Sequence, residues 1–195
     1  MAVLITGGGG AIGRELARSY AARGHSIVLV DVSVEDMEET ERALSGCGVD
    51  CYRYQVDTSR QDEVVGLRAE VERDVVTIDT LINLAGVGVV GDFLKTPVEE
   101  WRWLMGINFW GYVYMLQAFL PGMMERGRGH VVNVASAAGL MGIPSESAYC
   151  ASKFAVAGLT EALYNELRGK GVKVTLVCPS YVRTPILPRP HTFGS

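Results

Sequence analysis

The sequence predicts an α/β fold: a doubly wound parallel sheet with helices on both faces, a three-layer α/β/α arrangement. Three observations carry that expectation. Short apolar runs alternate with stretches of helical period. The runs are apolar nearly throughout, as strands covered on both sides must be. The first of them passes into a helical pattern through a turn made mostly of glycine, at Gly7 to Gly10.

Taken in order, Ala2 to Thr6 reads as a short apolar strand. Ala11 to Arg23 reads as a helix with Ile12, Leu16, Ala17 and Tyr20 on one side, and Gly24 closes it. Ser26 to Asp31 is the second strand. There follow a helix over Val34 to Leu44, a strand over Cys51 to Val56, a helix over Gln61 to Arg73 and a strand over Thr80 to Leu84. Val98 to Met124 reads as one long helical stretch. The strand His130 to Ala135, a helix beginning near Ser147 or Tyr149, and the strand Val172 to Cys178 complete the pattern. No linker, repeat or low-complexity segment interrupts it, so a single domain over residues 1–195 is expected.

Composition narrows the function. The 195 residues are 48% hydrophobic, enough for a sizeable core, and a net charge of −4 without a basic block argues against a nucleic-acid partner. Apolar stretches break well short of the ~20 residues a bilayer requires, so no membrane segment is expected. Met1 to Ile5 is too short and lacks the basic flank of a secretion signal. Cys47, Cys51, Cys150 and Cys178 form no C-x-x-C motif, which points to free thiols in a reducing, cytoplasmic setting. His25, His130 and His191 are scattered, so no metal site is expected. The aromatic run Trp101, Trp103, Phe109, Trp110, Tyr112 and Tyr114 reads as core packing and a subunit interface.

Two features suggest a dinucleotide. In Thr6 to Gly13, glycines let the backbone approach a pyrophosphate closely, and the following helix offers unpaired amides and the positive end of its dipole. Such a turn is weak evidence alone; its place between a first strand and a first helix strengthens it. Asp31, at the end of the second strand, is set to accept both hydroxyls of an adenosine ribose and to repel a 2′-phosphate. NAD is therefore expected rather than NADP, and Arg14 is expected to serve the helix surface.

A third feature suggests proton transfer. Tyr149 and Lys153 stand four residues apart in a stretch without glycine or proline, so both fall on one helix face. An ammonium held against a phenol favours the phenolate, so the spacing predicts a tyrosine whose pKa is lowered from about 10 toward neutrality. Ser136, ending an apolar run, is placed to offer its hydroxyl to the same substrate oxygen. Cys150, pointing about 100° away from Tyr149, reads as a buried thiol.

Together, the Thr6 to Gly13 turn, Asp31, Asp57, Asn83-Leu84-Ala85-Gly86, Asn108, Ser136, Tyr149 with Lys153, and Pro179 with Thr184 resemble the short-chain dehydrogenase/reductase family over essentially the whole chain. The resemblance implies a Rossmann-type sheet. It implies Tyr149 as general acid or base, Lys153 lowering its pKa and holding the nicotinamide ribose, Ser136 bonding the substrate oxygen, and Asn108 holding a water in a proton relay. Gly7, Gly9, Gly10, Ala11, Ile12, Gly13, Asp31, Asp57, Asn83, Ala85, Gly86, Tyr149, Lys153, Pro179 and Thr184 would line the cofactor, with Asp57 beside the adenine and Thr184 at the carboxamide. The sequence departs from the family pattern at Ala11, Leu84 and Ser180, where a glycine, an asparagine and a glycine are usual.

The function so implied is hydride transfer between NAD(H) and a secondary alcohol or ketone, in a homodimer or homotetramer. Two alternatives stay open: a sugar-nucleotide epimerase or dehydratase with bound NAD, disfavoured by the wider glycine spacing, and a non-catalytic dinucleotide-sensing module. By the same resemblance, lid helices and a last strand would follow Thr184. The proline-rich stretch from Pro185 to Ser195 supplies neither, so a missing substrate lid and a sheet edge beside Val172 to Cys178 that is unpaired or covered by a partner are expected.

Overall fold

The computed structural model describes residues 1–75, 77–180 and 182. Six parallel strands form one sheet: β1 (Ala2–Thr6), β2 (Ser26–Asp31), β3 (Cys51–Gln55), β4 (Thr80–Asn83), β5 (Gly129–Val134) and β6 (Val172–Val177). Their spatial order is β3-β2-β1-β4-β5-β6. Between them run α1 (Ala11–Ala21), α2 (Val34–Ala43), α3 (Gln61–Asp74), α4 (Val98–Met105), α5 (Gly111–Glu125) and α6 (Ser147–Glu166). The expected three-layer, doubly wound architecture is what the chain adopts.

Alternation along the strands divides the core in two. Leu4, Val28, Leu81 and Val131 face α3 and α5, packing on Val64, Leu67, Met115 and Phe119. Val3, Ile5, Ile27 and Leu29 face α1 and α2, packing on Ala17, Ala21 and Met37. Each such side chain, removed from water, contributes about 2 kcal/mol, which is why these runs carry almost no polar residues. On β6, Lys173, Thr175 and Val177 are exposed, and among the described residues β6 forms a sheet edge.

The expected continuous helix over Val98 to Met124 is a correction. After α4, residues Gly106–Trp110 form a π-helical turn before α5 begins. The wider turn is held by Asn108, whose buried side chain bonds outside the helix at both ends. A π turn of this kind accommodates one extra residue inside an otherwise regular helix and commonly marks a functional position. No described helix is long and apolar enough to cross a membrane.

The strand order reverses between β1 and β4. Ligands of such sheets bind in the crevice outside the carboxyl ends of the strands at that point. The chain gathers there the turn after β1, Asp31 at the end of β2, Asp57 after β3, Asn83 to Gly86 at the end of β4, Ser136 after β5 and Pro179 after β6.

Candidate active site

The turn after β1 is a rigid cradle. Gly7 has φ +67°, and a Cβ there would lie 3.1 Å from Ala85 Cα. A Cβ on Gly13 would collide with Gly7 O and lie 2.9 Å from Gly8 Cα, so only glycine lets α1 start this close to β1. Gly10 caps α1 without any side-chain hydrogen bond, and Gly10 and Ala11 are exposed. The first amides of α1 therefore face outward, where an anion finds both unpaired donors and the dipole. Among the described non-glycine residues only Ser145 has positive φ, so Ala11 fits its place without strain.

Asp31 is fixed beside this turn. Its Oδ2 accepts from Gly9 N at 3.0 Å and its Oδ1 from Ser33 N at 3.1 Å. Arg14 does not serve the free helix surface as expected: its guanidinium bonds Glu39 Oε1 at 2.6 Å and Gly9 O at 3.4 Å. Thr40 Oγ1 lies 3.0 Å from Gly8 O on the same side. Arg14 and Thr40 thus brace the turn from α1 and α2, a role that no motif announces. Asp57 Oδ1 accepts from Ser59 N at 2.9 Å and Ser59 Oγ at 2.7 Å, at the entry to α3.

Thr6, which the sequence places only at the head of the glycine turn, ties β1 to the segment after β4: its Oγ1 accepts from Leu84 N at 3.0 Å and Ala85 N at 3.1 Å. This backbone anchoring does not depend on the side chain at position 84. Asn83 lies in the core instead of the cleft. Its Nδ2 donates to Asn133 Oδ1 at 2.9 Å, and Asn133 Nδ2 donates to Thr160 Oγ1 at 3.0 Å, linking β4, β5 and α6. Gly86 leaves space where a side chain would fall 3.4 Å from Lys153 Nζ and 3.3 Å from Asn108 Oδ1.

Tyr149 and Lys153 project from the first turns of α6. The half-buried Tyr149 packs against the small core of Val89, Leu104 and Ala148, as do Val87 and Trp101. Ser136, in extended backbone, accepts from Ala138 N at 3.2 Å through Oγ and stands beside the phenol. Lys153 is buried, its Nζ donating to Val134 O at 3.1 Å and lying 5.7 Å from the centre of the Tyr149 ring. Asn108 is wholly buried, and both its amide hydrogens are engaged, with Val87 O at 2.9 Å and Ser152 Oγ at 3.1 Å. Its side chain has no donor left for a relay water.

The protonation expectation is corrected. Tyr149 is pushed above its ordinary pKa, not below, chiefly because burial penalises the phenolate, while the neighbouring Ser136 hydroxyl pulls the other way. Lys153, itself stripped of water, falls to about 8. A lysine that is costly to keep charged is a weak lever on a phenol that is also costly to charge.

Pro179 O accepts from Ala137 N at 2.8 Å, fixing the strand end beside Ser136. Thr184 lies outside the described residues. Cys150 is buried, with Sγ 3.3 Å from Ile143 N. Among the described residues no cluster of three His, Cys, Asp or Glu side chains suits a metal ion.

A family model described as short chain dehydrogenase matches residues 1–191. Epidermal retinol dehydrogenase 2 of Mus musculus is 38% identical over 186 residues, which cover 93% of this chain and 60% of that protein. 17-beta-hydroxysteroid dehydrogenase 13 of Homo sapiens is 38% identical over 193 residues, 97% of this chain and 64% of that one. The chain thus spans less than two thirds of these curated relatives. Among solved structures, NAD+-bound xylitol dehydrogenase superposes with a TM-score of 0.89 at 33% identity, covering 92% of this chain and 70% of that one. A short-chain dehydrogenase/reductase from Burkholderia phymatum in complex with NAD gives 0.91 at 35% identity, covering 95% and 67%. A glycine cradle on a reversing parallel sheet, a tyrosine and lysine one turn apart on α6, and a family match over residues 1–191 agree: this chain belongs to the short-chain dehydrogenase/reductase family of oxidoreductases.

Proposed function

We propose that the protein transfers a hydride between NAD(H) and a secondary alcohol or its ketone, with Tyr149 as general acid and base. The observation that carries this reading is the convergence of Tyr149, Ser136 and a buried Lys153 on the crevice that the glycine cradle opens.

The residues fit a dinucleotide. The first amides of α1, at Ala11 and Ile12, suit its pyrophosphate, Asp31 its adenosine ribose, Asp57 the adenine side, and Ala85, Gly86 and Lys153 the nicotinamide half. The NAD preference rests on Asp31, a carboxylate held in place by two backbone amides, with the nearby Arg14 already engaged by Glu39. When bound, the nicotinamide ring supplies the hydride acceptor or donor.

The chain's own groups handle the proton. Because burial favours the protonated phenol, Tyr149 near neutral pH is an acid ready to protonate the oxygen of a carbonyl being reduced. In the opposite direction it must first lose that proton, so alcohol oxidation is favoured as pH rises. Ser136 orients the same oxygen through its hydroxyl. Lys153 contributes positive charge below its pKa of about 8. The apolar side chains around Tyr149 favour a substrate with an apolar skeleton.

NADH absorbance with a panel of secondary alcohols and ketones, apolar and polyol, tests the proposal. Net turnover with NAD(H) on an apolar member supports it. Cofactor binding with no turnover across the panel contradicts it and leaves a dinucleotide-sensing module.

A further inference from the structure

Lys153 brings an ammonium into a position only 4% exposed. Among the described residues it forms no ion pair with a carboxylate. A buried cation without a counter-charge must be stabilised by other means or lose its proton. One hydrogen bond, to Val134 O at 3.1 Å, answers part of that need. The remaining surroundings are aromatic: the ring centre of Tyr149 lies 5.7 Å from Nζ and that of Tyr112 lies 5.6 Å away.

Tyr112 has no place in the family motifs read from the sequence. It is 1% exposed on α5, in the helical segment that follows the π turn carrying Asn108. Its hydroxyl donates to the same Val134 carbonyl at 3.0 Å. Two donors from two helices therefore converge on one carbonyl, and two ring faces stand near one cation. Burial pushes the Tyr112 phenol far above its ordinary range, so it stays a neutral donor to Val134.

We infer that Tyr112 is a positioning residue for the reaction: its hydrogen bond to Val134 fixes the ring, and the ring face holds the Lys153 ammonium in place and keeps it charged. The negative face of a ring attracts a cation most strongly where water is excluded, as it is here. The titratable groups facing Lys153 are Tyr149 from α6, Tyr112 from α5 and the Cys178 thiol after β6, and the last favours the charged lysine. Burial opposes all of these and brings Lys153 to about 8, close enough to neutrality for a modest aromatic contribution to decide its charge. The link to turnover rests on the Tyr149 reading above; the effect on Lys153 does not.

The test is the titration of Lys153 by NMR of carbon-labelled lysine in the cofactor-free protein, with Lys153→Met identifying the signal. Tyr112→Phe keeps the ring face and frees Val134 O for Lys153, so the midpoint should stay at the parent value or rise. Tyr112→pentafluorophenylalanine keeps the shape, reverses the sign of the ring face, and should lower the midpoint by about one pH unit. The pH limb of kcat/KM should move with it. A residue needed only for packing would lower the melting temperature and leave the midpoint alone. An unmoved midpoint in the fluorinated variant therefore overturns the inference. A moved midpoint supports it, even if Tyr149→Phe were found to keep its activity and the catalytic reading failed.

Discussion

Asn108 and Val87 bond each other twice: Asn108 Oδ1 accepts from Val87 N at 2.8 Å, and Asn108 Nδ2 donates to Val87 O at 2.9 Å. This pairing imitates a strand ladder and fastens the π turn to the segment that follows Gly86. Removing it orphans two backbone groups and takes one donor from the Ser152 hydroxyl, which keeps its bond to Tyr149 O, so Asn108→Ala should cost about 2–4 kcal/mol. The expected drop in Tm is roughly 5–15 °C for a chain of this size, read by calorimetry. Asn108→Asp keeps the acceptor for Val87 N but sets a carboxylate oxygen against Val87 O in a fully buried position, so it should lose as much or more. A Tm within a degree of the parent for Asn108→Ala contradicts the bracing role.

Lys153 gives a prediction about stability. Its folded pKa of about 8 lies below the ordinary 10.5, so between those values the unfolded chain binds more protons than the folded one. Stability therefore rises with pH through that window as the cost of the buried charge is relieved. A shift of that size corresponds to roughly 3 kcal/mol. Lys153→Met lacks this term, so its Tm advantage over the parent should be largest at pH 7 and shrink by pH 10. An unchanged Tm difference across that range would show that Lys153 is not buried as a cation.

Much of the fold was legible because buried parallel strands leave apolar runs that cannot be mistaken once six of them alternate with helices. Motif positions were legible where the residue type is forced, as at Gly7 and Gly13, where a Cβ has no room. The π turn was not: an apolar stretch from Val98 to Met124 has the same pattern whether or not one turn is widened, and only the bonds of Asn108 reveal it. The sign of the Tyr149 shift was hidden for another reason. Spacing four residues apart says that Tyr149 and Lys153 share a face, but nothing about the water each loses on burial. Thr6, Arg14 and Tyr112 act through contacts distant in sequence, with Ala85, Glu39 and Val134, which no local motif encodes.

Cofactor choice should follow Asp31. A 2′-phosphate beside a fixed carboxylate suffers like-charge repulsion of a few kcal/mol, so kcat/KM should favour NAD by roughly tenfold or more. Asp31→Ala with Val32→Arg, at an exposed neighbour, should narrow or invert the ratio. The same change frees Gly9 N and Ser33 N and should cost about 1–2 kcal/mol of stability. Equal use of both cofactors by the parent would refute this assignment.

Assembly should involve the aromatic outer face of α4 to α6. Trp103, Trp110, Phe154 and Tyr164 are each more than two-fifths exposed, and Trp110 stacks on Tyr114 with ring centres 6.0 Å apart. A face this apolar suits contact with a second copy of the chain. Sedimentation should find the parent as a dimer or tetramer and Trp103→Glu as a monomer; a monomeric parent rules the interface out.

The central claim is that the Tyr149 hydroxyl carries the proton. Tyr149→Phe keeps the ring against Val89, Leu104 and Ala148 and removes only the group that exchanges a proton. With NADH binding followed by fluorescence and turnover by absorbance on the same sample, the account predicts binding within a few-fold of the parent and turnover lowered by roughly 10³-fold or more. A Tyr149→Phe protein that binds NADH and retains a large fraction of parental turnover would contradict it.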